Sequence, residues 1–338
     1  MASHNSAFTT LLFVFTFAAV ISNIAVGSHN LHGYKKSLPF HKSCIEKFGG
    51  VWFGQELWLQ EKQLSQMTEL GVQFVARSGM EDAVSNGILN GRPFGGVSIS
   101  WAPELNHVMK PLTNYRHKRL VCVEMSSQPK PVIFACLYMP FFDSSNRVKC
   151  LAETMDTISM LEEIIADHPL HSFIIGGDFN TEFRDNSPFD DLWSDCLSTN
   201  NLVNCDNLFG NNNNNISHTY IHQTLNHCKW NDHFFISDSL VDASSHHVIL
   251  DDGDNVSDHL PIMMSVKVSL SESTHASFIP QTMPTLKWER FSELQKSLYK
   301  NGFLSGFTHL RHYFRSALLF TAKVSHASRK FRMNMKIS

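Results

Sequence analysis

Eight polar residues between positions 30 and 259 each stand at or just beyond the end of a short apolar run. Asn30 lies in SHNLHG, Glu56 in VWFGQE, Tyr138 in LYMP, and Asp178 and Asn180 in IIGGDFN. Asp232 lies in KWNDHFFIS, and Asp258 and His259 in VSDHLP. Strand ends are where an α/β scaffold carries reactive groups. These residue types suit phosphodiester hydrolysis, which needs a metal to neutralise charge, an activated water and donors to the phosphorane oxygens. Carboxylates bind Mg²⁺ through one or two oxygens and leave the other positions to water and phosphate. A His–Asp pair polarises or protonates a phosphate oxygen, the Asp fixing the tautomer. Asparagines orient water and leaving oxygen without adding charge. Taken singly, each residue has an ordinary role: an Asp after Gly-Gly commonly turns the chain, and a Glu after a strand is commonly solvated. The functional reading rests on the set. No GxxxxGK[ST], HExxH or GxSxG occurs, which argues against a P-loop NTPase, a zincin protease and a serine-elbow hydrolase.

The elements that must position these residues read as strands alternating with helices and loops, an α/β pattern. Strands are predicted at Asn23–Asn30, Val51–Gly54, Gly95–Trp101, Leu120–Met125, Val132–Leu137, His171–Ile175, His233–Ile236 and Ile262–Val268. Between Cys150 and His168, Leu151, Met155, Ile158, Leu161, Ile164 and Ile165 recur at helical spacing. Asn211–Asn215 reads as a surface loop. A hydrophobic fraction of 43% with 17% charged residues excludes a disordered or collagen-like chain. Seven scattered cysteines with no CxxC argue against a disulfide scaffold and for reduced thiols.

The net charge of −3 conceals a split. Residues 271–338 hold 11 Lys+Arg against 3 Asp+Glu, and residues 1–270 hold 17 against 28. The division predicted is an apolar leader or signal peptide at 1–22, a catalytic domain at 23–270 and a basic tail at 271–338. Leu11–Val26 is short for a bilayer span, and Met1–Thr10 lacks the basic residues of a signal n-region. Secretion and a buried first strand both stay open, and a membrane enters only if the leader is retained. The sequon Asn255-Val256-Ser257 directly precedes Asp258-His259. A glycan there would obstruct a polymer substrate, which favours an intracellular, nuclear or cytoplasmic location. In the tail, Thr285–Lys300 has the pattern of an amphipathic helix, and Arg311–Lys336 interleaves basic residues with aromatics.

The order of Asn30, Glu56, Tyr138, GGDFN, Asp232 and SDHLP resembles that of the endonuclease/exonuclease/phosphatase superfamily. GGDFN and SDHLP, with 76 residues between Asn180 and Ser257, carry most of the specificity. A finer resemblance is to the apurinic-like endonuclease domain of non-LTR retrotransposons, through SHNLHGYKKS, GQELWL, NGRPFGGVSISW, KWNDHFFIS and the tail phrase PTLKWERFSELQKSLY. The resemblance implies an α/β four-layer sandwich, two mixed β-sheets packed face to face and flanked by helices. It implies Mg²⁺, with Mn²⁺ as a substitute, bound by Glu56, Asn30 and Asp258. Asp178 would align or deprotonate water, Asn180 would orient it, His259 oriented by Asp232 would contact phosphate, and Tyr138 would donate to a phosphate oxygen. DNA nicking leaving a 3′-hydroxyl follows, with target-site duplex as partner. The charge pattern adds a local basic patch at Arg116–Arg119, which makes Arg119 a candidate substrate-binding residue, and no obligate protein partner is evident in the sequence. Alternatives within the resemblance are a phosphatase or phospholipase acting on inositol phosphate or sphingomyelin, and an inactive retroelement remnant. Two positions depart from the pattern. Asn231 stands where relatives carry an apolar residue, and His32 where some carry an acid or Asn.

Overall fold

The computed structural model describes residues 20–80, 87, 93–183, 188–209, 216–222, 224–225 and 227–270. The leader up to residue 19, Asn90, Asn211–Asn215 and the tail at 271–338 lie outside the described residues. The first strands in chain order are β1 (Val20–Asn30), β2 (Val51–Gln55), β3 (Gln73–Arg77), β4 (Val97–Trp101) and β5 (Met109–Pro111). There follow β6 (Leu120–Met125), β7 (Ser127–Gln128), β8 (Val132–Tyr138), β9 (Ser172–Asp178) and β10 (Leu202–Asn204). The last are β11 (Tyr220–Ile221), β12 (Cys228–Lys229), β13 (Asp232–Ser237), β14 (Ser244–Ile249) and β15 (Ile262–Leu270). The principal helices are α1 (Tyr34–Phe48), α2 (Arg147–Asp167) and α3 (Pro188–Thr199), with a short α4 (Cys205–Phe209).

Two large mixed sheets result. One runs β14-β15-β1-β2-β4-β3, with β7 on β15, and the other runs β10-β13-β9-β8-β6-β5. Strand β8 shows why they stack. Every residue from Val132 to Leu137 is buried, and they alternate between two cores: Val132, Phe134 and Cys136 face the other sheet, whereas Ile133, Ala135 and Leu137 face the helices. A strand covered on both faces reads as a continuous apolar run. Helix α2 contributes Ile158, Leu161 and Ile164 to the outer core of the second sheet, and α3 contributes Trp193. Helix α1, with Tyr34, Phe40 and Ile45, covers the outer face of the first sheet beside Trp52. The four layers are those expected.

Several elements differ from the sequence reading. Strand β1 begins at Val20, not Asn23, because Val20–Ser22 pair with Leu270–Val268. The Gly-Gly before Asp178 is not a turn: both glycines lie inside β9. A Cβ on Gly176 would fall 2.5 Å from the Phe234 ring, and one on Gly177 would fall 1.9 Å from the Leu137 carbonyl oxygen. The motif is a site of close approach between strands and sheets. Helix α1 was not predicted because Pro39 lies inside it, where proline removes a backbone donor and normally breaks the pattern. All seven cysteines are unpaired, six of them buried.

On the buried face of α1, His41 packs 5.7 Å from His29 and edge-on to Trp52, with neither of its ring nitrogens hydrogen-bonded. Burial pushes His41 down to about 4. The unfolded chain therefore binds the proton first, and stability falls as pH drops from about 6.5 towards 4. Thermal melts of His41→Leu across that window should recover about 3 kcal/mol of the acid loss, the equivalent of the shift at 1.36 kcal/mol per pKa unit. An unchanged acid slope would remove His41 as its cause.

Candidate active site

Strand register brings the polar residues together. β1 and β2 are parallel and end together at Asn30 and Gln55, so Glu56 follows directly. In the second sheet Tyr138 lies opposite Asp178, and Asp232 lies opposite Asp178 from the other side. β15 runs antiparallel to β1, which returns the SDHLP segment to the end where β1 finishes.

Five of the eight residues, Asn30, Glu56, Tyr138, Asp178 and Asn180, are joined by direct hydrogen bonds, with the hydrogen-bonded pair Asp232–His259 beside them. The Asn30 amide nitrogen donates to Asp178 Oδ2 at 2.8 Å and Glu56 Oε1 at 3.3 Å, and lies 3.4 Å from His259 Nε2. Its Oδ1 accepts from the His32 backbone amide at 3.0 Å, which fixes the orientation. Asn30 thus turns a donor towards the carboxylates. Tyr138 donates to Glu56 Oε1 at 2.8 Å. Asn180 donates from its backbone to Asp178 Oδ1 at 2.9 Å and from its side chain to the Met139 carbonyl at 3.0 Å. Asp232 Oδ2 lies 2.8 Å from His259 Nδ1, and His259 Nε2 is 3.9 Å from Asp178 Oδ2. The eighth residue, Asp258, pairs with His32 Nδ1 at 2.9 Å.

The backbone is strained here. His32, Glu56, Trp58 and Asn180 all have φ between 45° and 54°, each at a cost of roughly 1–3 kcal/mol. The surrounding contacts hold these conformations. The Gly33 Cα sits against Trp58, where an added Cβ would lie 2.8 Å from the indole.

The charge balance is uneven. Asp178 and Asp232 are 1% exposed and His259 is 5% exposed. Burial alone would push His259 down, but Asp232, Asp178 and Asp258 outweigh it and lift the imidazole to about 10. Burial raises Asp178, as do the charges of Asp232 and Glu56, with His259 opposing. Burial and then Glu56 hold the Tyr138 phenol well above its usual value, in keeping with a hydroxyl that donates.

Asp178, Asp232 and His259 form the buried group whose ligand-type atoms all lie within 4.8 Å of one another. His259 engages Asp232 through Nδ1, and the surrounding carboxylates favour its protonated form. Glu56 and Asp258 supply the remaining carboxylates, and the Tyr220 phenol, raised first by burial, also feels the charges of Asp258, Glu56 and Asp178. Four carboxylates against one imidazolium leave a negative excess at the ends of the sheets. That all-oxygen donor set fits a hard divalent cation.

Some residues occupy unexpected roles. Arg119 is turned inward: one guanidinium nitrogen meets Glu153 at 2.6 Å, the other donates to the Tyr138 carbonyl at 3.2 Å, and its carbon lies 5.5 Å from the Tyr138 ring centre. It braces Tyr138. Asn255 donates to the His259 carbonyl at 2.7 Å, so the sequon's amide holds the histidine loop. Asn231 is buried with its Oδ1 unpartnered, a desolvation cost of about 1–3 kcal/mol, while its backbone amide is anchored to Thr219 Oγ1 at 3.0 Å. Sequence reasoning missed three contributors. Trp58 donates to Glu56 Oε2 at 3.0 Å, Tyr220 packs 4.9 Å from the His259 ring, and Ser257 Oγ donates to the Asn30 carbonyl at 2.7 Å. Ser257 was visible as the first letter of SDHLP, whereas Trp58 and Tyr220 carry no chemical signature of their own.

Solved structures share this architecture. The AP endonuclease LMAP from Leishmania major matches with a TM-score of 0.58 at 15% identity, covering 72% of this chain and 88% of that one. The 3′ phosphatase NExo from Neisseria, bound to product DNA hairpin, matches at 0.54 and 13%, over 72% and 99%. The endonuclease domain of TRAS1, a telomere-specific non-LTR retrotransposon, matches at 0.51 and 12%, over 72% and 98%. No protein-family profile and no curated protein sequence matches the chain. The fold is that of the endonuclease/exonuclease/phosphatase superfamily, as the motifs implied.

An elevated His259 stabilises the fold fully below the unfolded value of about 6.5, and that contribution is lost as pH rises through about 10. NMR titration of His259 in metal-free protein should give an alkaline midpoint, and Asp232→Asn should lower it by at least one unit, as expected for removal of a contacting charge. A wild-type midpoint near 6.5 would contradict the ion-pair reading.

Proposed function

We propose that the chain is a divalent-metal-dependent phosphodiesterase that nicks DNA and leaves a 3′-hydroxyl, derived from a retroelement endonuclease. The observation that carries the proposal is the Asp232–His259–Asp178–Asn30–Glu56–Tyr138 chain of contacts at the ends of both sheets. DNA as substrate draws on the printed activities of the structural relatives, an AP endonuclease, a phosphatase bound to product DNA and a retrotransposon endonuclease domain. The catalytic unit is taken as the predicted 23–270 with Val20–Ser22 of β1 added, and the basic segment 271–338 as a tail.

Glu56 and Asp258 would hold the cation, Mg²⁺ or Mn²⁺, which when bound neutralises phosphate charge. Asp178, raised by burial, takes the proton from the attacking water, and Asn180 beside it aligns that water. The imidazolium of His259, held by Asp232, donates to a phosphate oxygen as charge builds there. Tyr138 donates to the same group or to Glu56. Asn30 is assigned as the donor that fixes Asp178 and Glu56, because its own carbonyl oxygen is occupied by His32.

Supercoiled plasmid should be nicked in Mg²⁺ and spared in EDTA, with ends that a DNA polymerase extends without prior phosphatase treatment. Glu56→Ala and His259→Ala should each slow nicking by roughly a hundredfold or more. Nicking that survives both substitutions would overturn the assignment. Phosphate release from inositol phosphates without nicking would move the substrate to the phosphomonoester class.

A further inference from the structure

Beside the catalytic cleft lies a cavity of about 520 Å³, with Phe94, Phe141, Lys118, Lys149, Glu153 and Tyr138 among its lining residues. Its size suits a nucleotide-scale ligand. Tyr138 is shared: its hydroxyl meets Glu56 in the cleft while its residue lines the cavity. Among the described residues, Phe94 and Phe141 are the phenylalanines more than a third exposed, at 48% and 68%, and both line this one cavity.

Local structure holds both outward. After Phe94, Gly95 and Gly96 take positive φ and bring the loop onto Gly79 and Tyr138; a Cβ on Gly95 would lie 3.4 Å from the Gly79 Cα and 3.9 Å from the Tyr138 ring. Phe142 packs edge-on against the buried Phe189 at 5.5 Å, and the preceding Phe141 faces solvent. The Phe141 carbonyl accepts from Cys150 Sγ at 3.4 Å. The exposure is therefore built in by anchored neighbours. Lys118, Arg119 and Lys149 bring positive charge to the lining and Asp143 and Glu153 negative charge; Glu153 meets Arg119 at 2.6 Å and lies 3.9 Å from Lys118.

We infer that this cavity takes an unpaired nucleotide of the DNA substrate, its base stacked on Phe141 or Phe94 and its phosphate drawn to Lys118 and Lys149. The inference rests on the DNA reading above. Two phenylalanine faces bring no hydrogen-bond code, and a base within a duplex has no free face to offer them. Aromatic stacking with cationic backbone contacts is the chemistry that holds single-stranded nucleic acid. The substrate class is thus DNA with unstacked bases next to the scissile phosphate, a bulge, mismatch or strand junction, in preference to uniform duplex.

The test uses the full chain in EDTA, so that binding is read without cleavage. Fluorescence anisotropy compares a fully paired duplex with the same duplex carrying three unpaired nucleotides. Wild type should favour the unpaired form roughly tenfold, Phe141→Ala should erase most of that ratio, and Phe141→Trp should restore it. A wild-type ratio near one, or a ratio unmoved by Phe141→Ala and Phe94→Ala, would overturn the inference. Phe141-dependent binding to phosphatidylserine vesicles with no such dependence on DNA would overturn it in favour of a membrane surface. The two proposals fail separately: absence of plasmid nicking with a Phe141-dependent ratio intact sinks only the nuclease reading. Mg²⁺-dependent nicking with an indifferent ratio sinks only this one.

Discussion

The hydrogen bond from Asn30 to Asp178 joins the two halves of the site, with the bond from Tyr138 to Glu56 beside it. The Asn30 side chain leaves the end of a strand in the first sheet and donates to Asp178 at the end of a strand in the second, 148 positions along the chain. The same nitrogen reaches Glu56. Away from the site the sheets meet mainly through apolar packing, in which Phe53 stands 6.1 Å from Phe234 and 6.4 Å from Phe134, with Gln55 Nε2 donating across to Cys136 Sγ at 3.2 Å. Apolar packing brings the layers together but is non-directional. A charge-assisted hydrogen bond in a buried setting sets the relative position of two carboxylates with the precision that chemistry needs.

That contact also explains how so much negative charge is tolerated. Asp178 and Asp232 are almost fully buried near each other, an arrangement that is costly unless positive charge and donors offset it. His259 supplies the positive charge, and Asn30 and the Asn180 backbone supply donors. Glu56 is held by Tyr138, Trp58 and Asn30. The positive-φ residues at His32, Glu56, Trp58 and Asn180 show where backbone conformation has been given up to achieve this placement. Arg119, on the far side of Tyr138, extends the same bracing to the helix that carries Glu153.

Much of this was legible in the sequence, for identifiable reasons. Leu120–Met125, buried except for the half-buried Glu124, has the bounds its apolar run predicts, whereas the strand predicted at His171–Ile175 starts at Ser172 and runs on through the glycines to Asp178. GGDFN and SDHLP supplied Asp178, Asn180, Asp258 and His259, which the structure brings to one end of the two sheets. Three kinds of feature were hidden. Gly176-Gly177 mimics a turn although its function is to let Phe234 and the Leu137 backbone approach. Pro39 disguises a helix whose buried face, Tyr34, Phe40 and Ile45, covers the first sheet. Trp58, Tyr220 and the inward pairing of Arg119 depend on long-range geometry, which local pattern cannot report.

The central claim is that Asn30 and Asp178 act as one coupled unit across the sheets. A double-mutant cycle of Asn30→Ala and Asp178→Ala, read by chemical denaturation of the metal-free protein, tests it most directly. The account predicts a coupling energy of at least about 1 kcal/mol, as for a buried hydrogen bond to a charged group. Additivity within about 0.5 kcal/mol would contradict it.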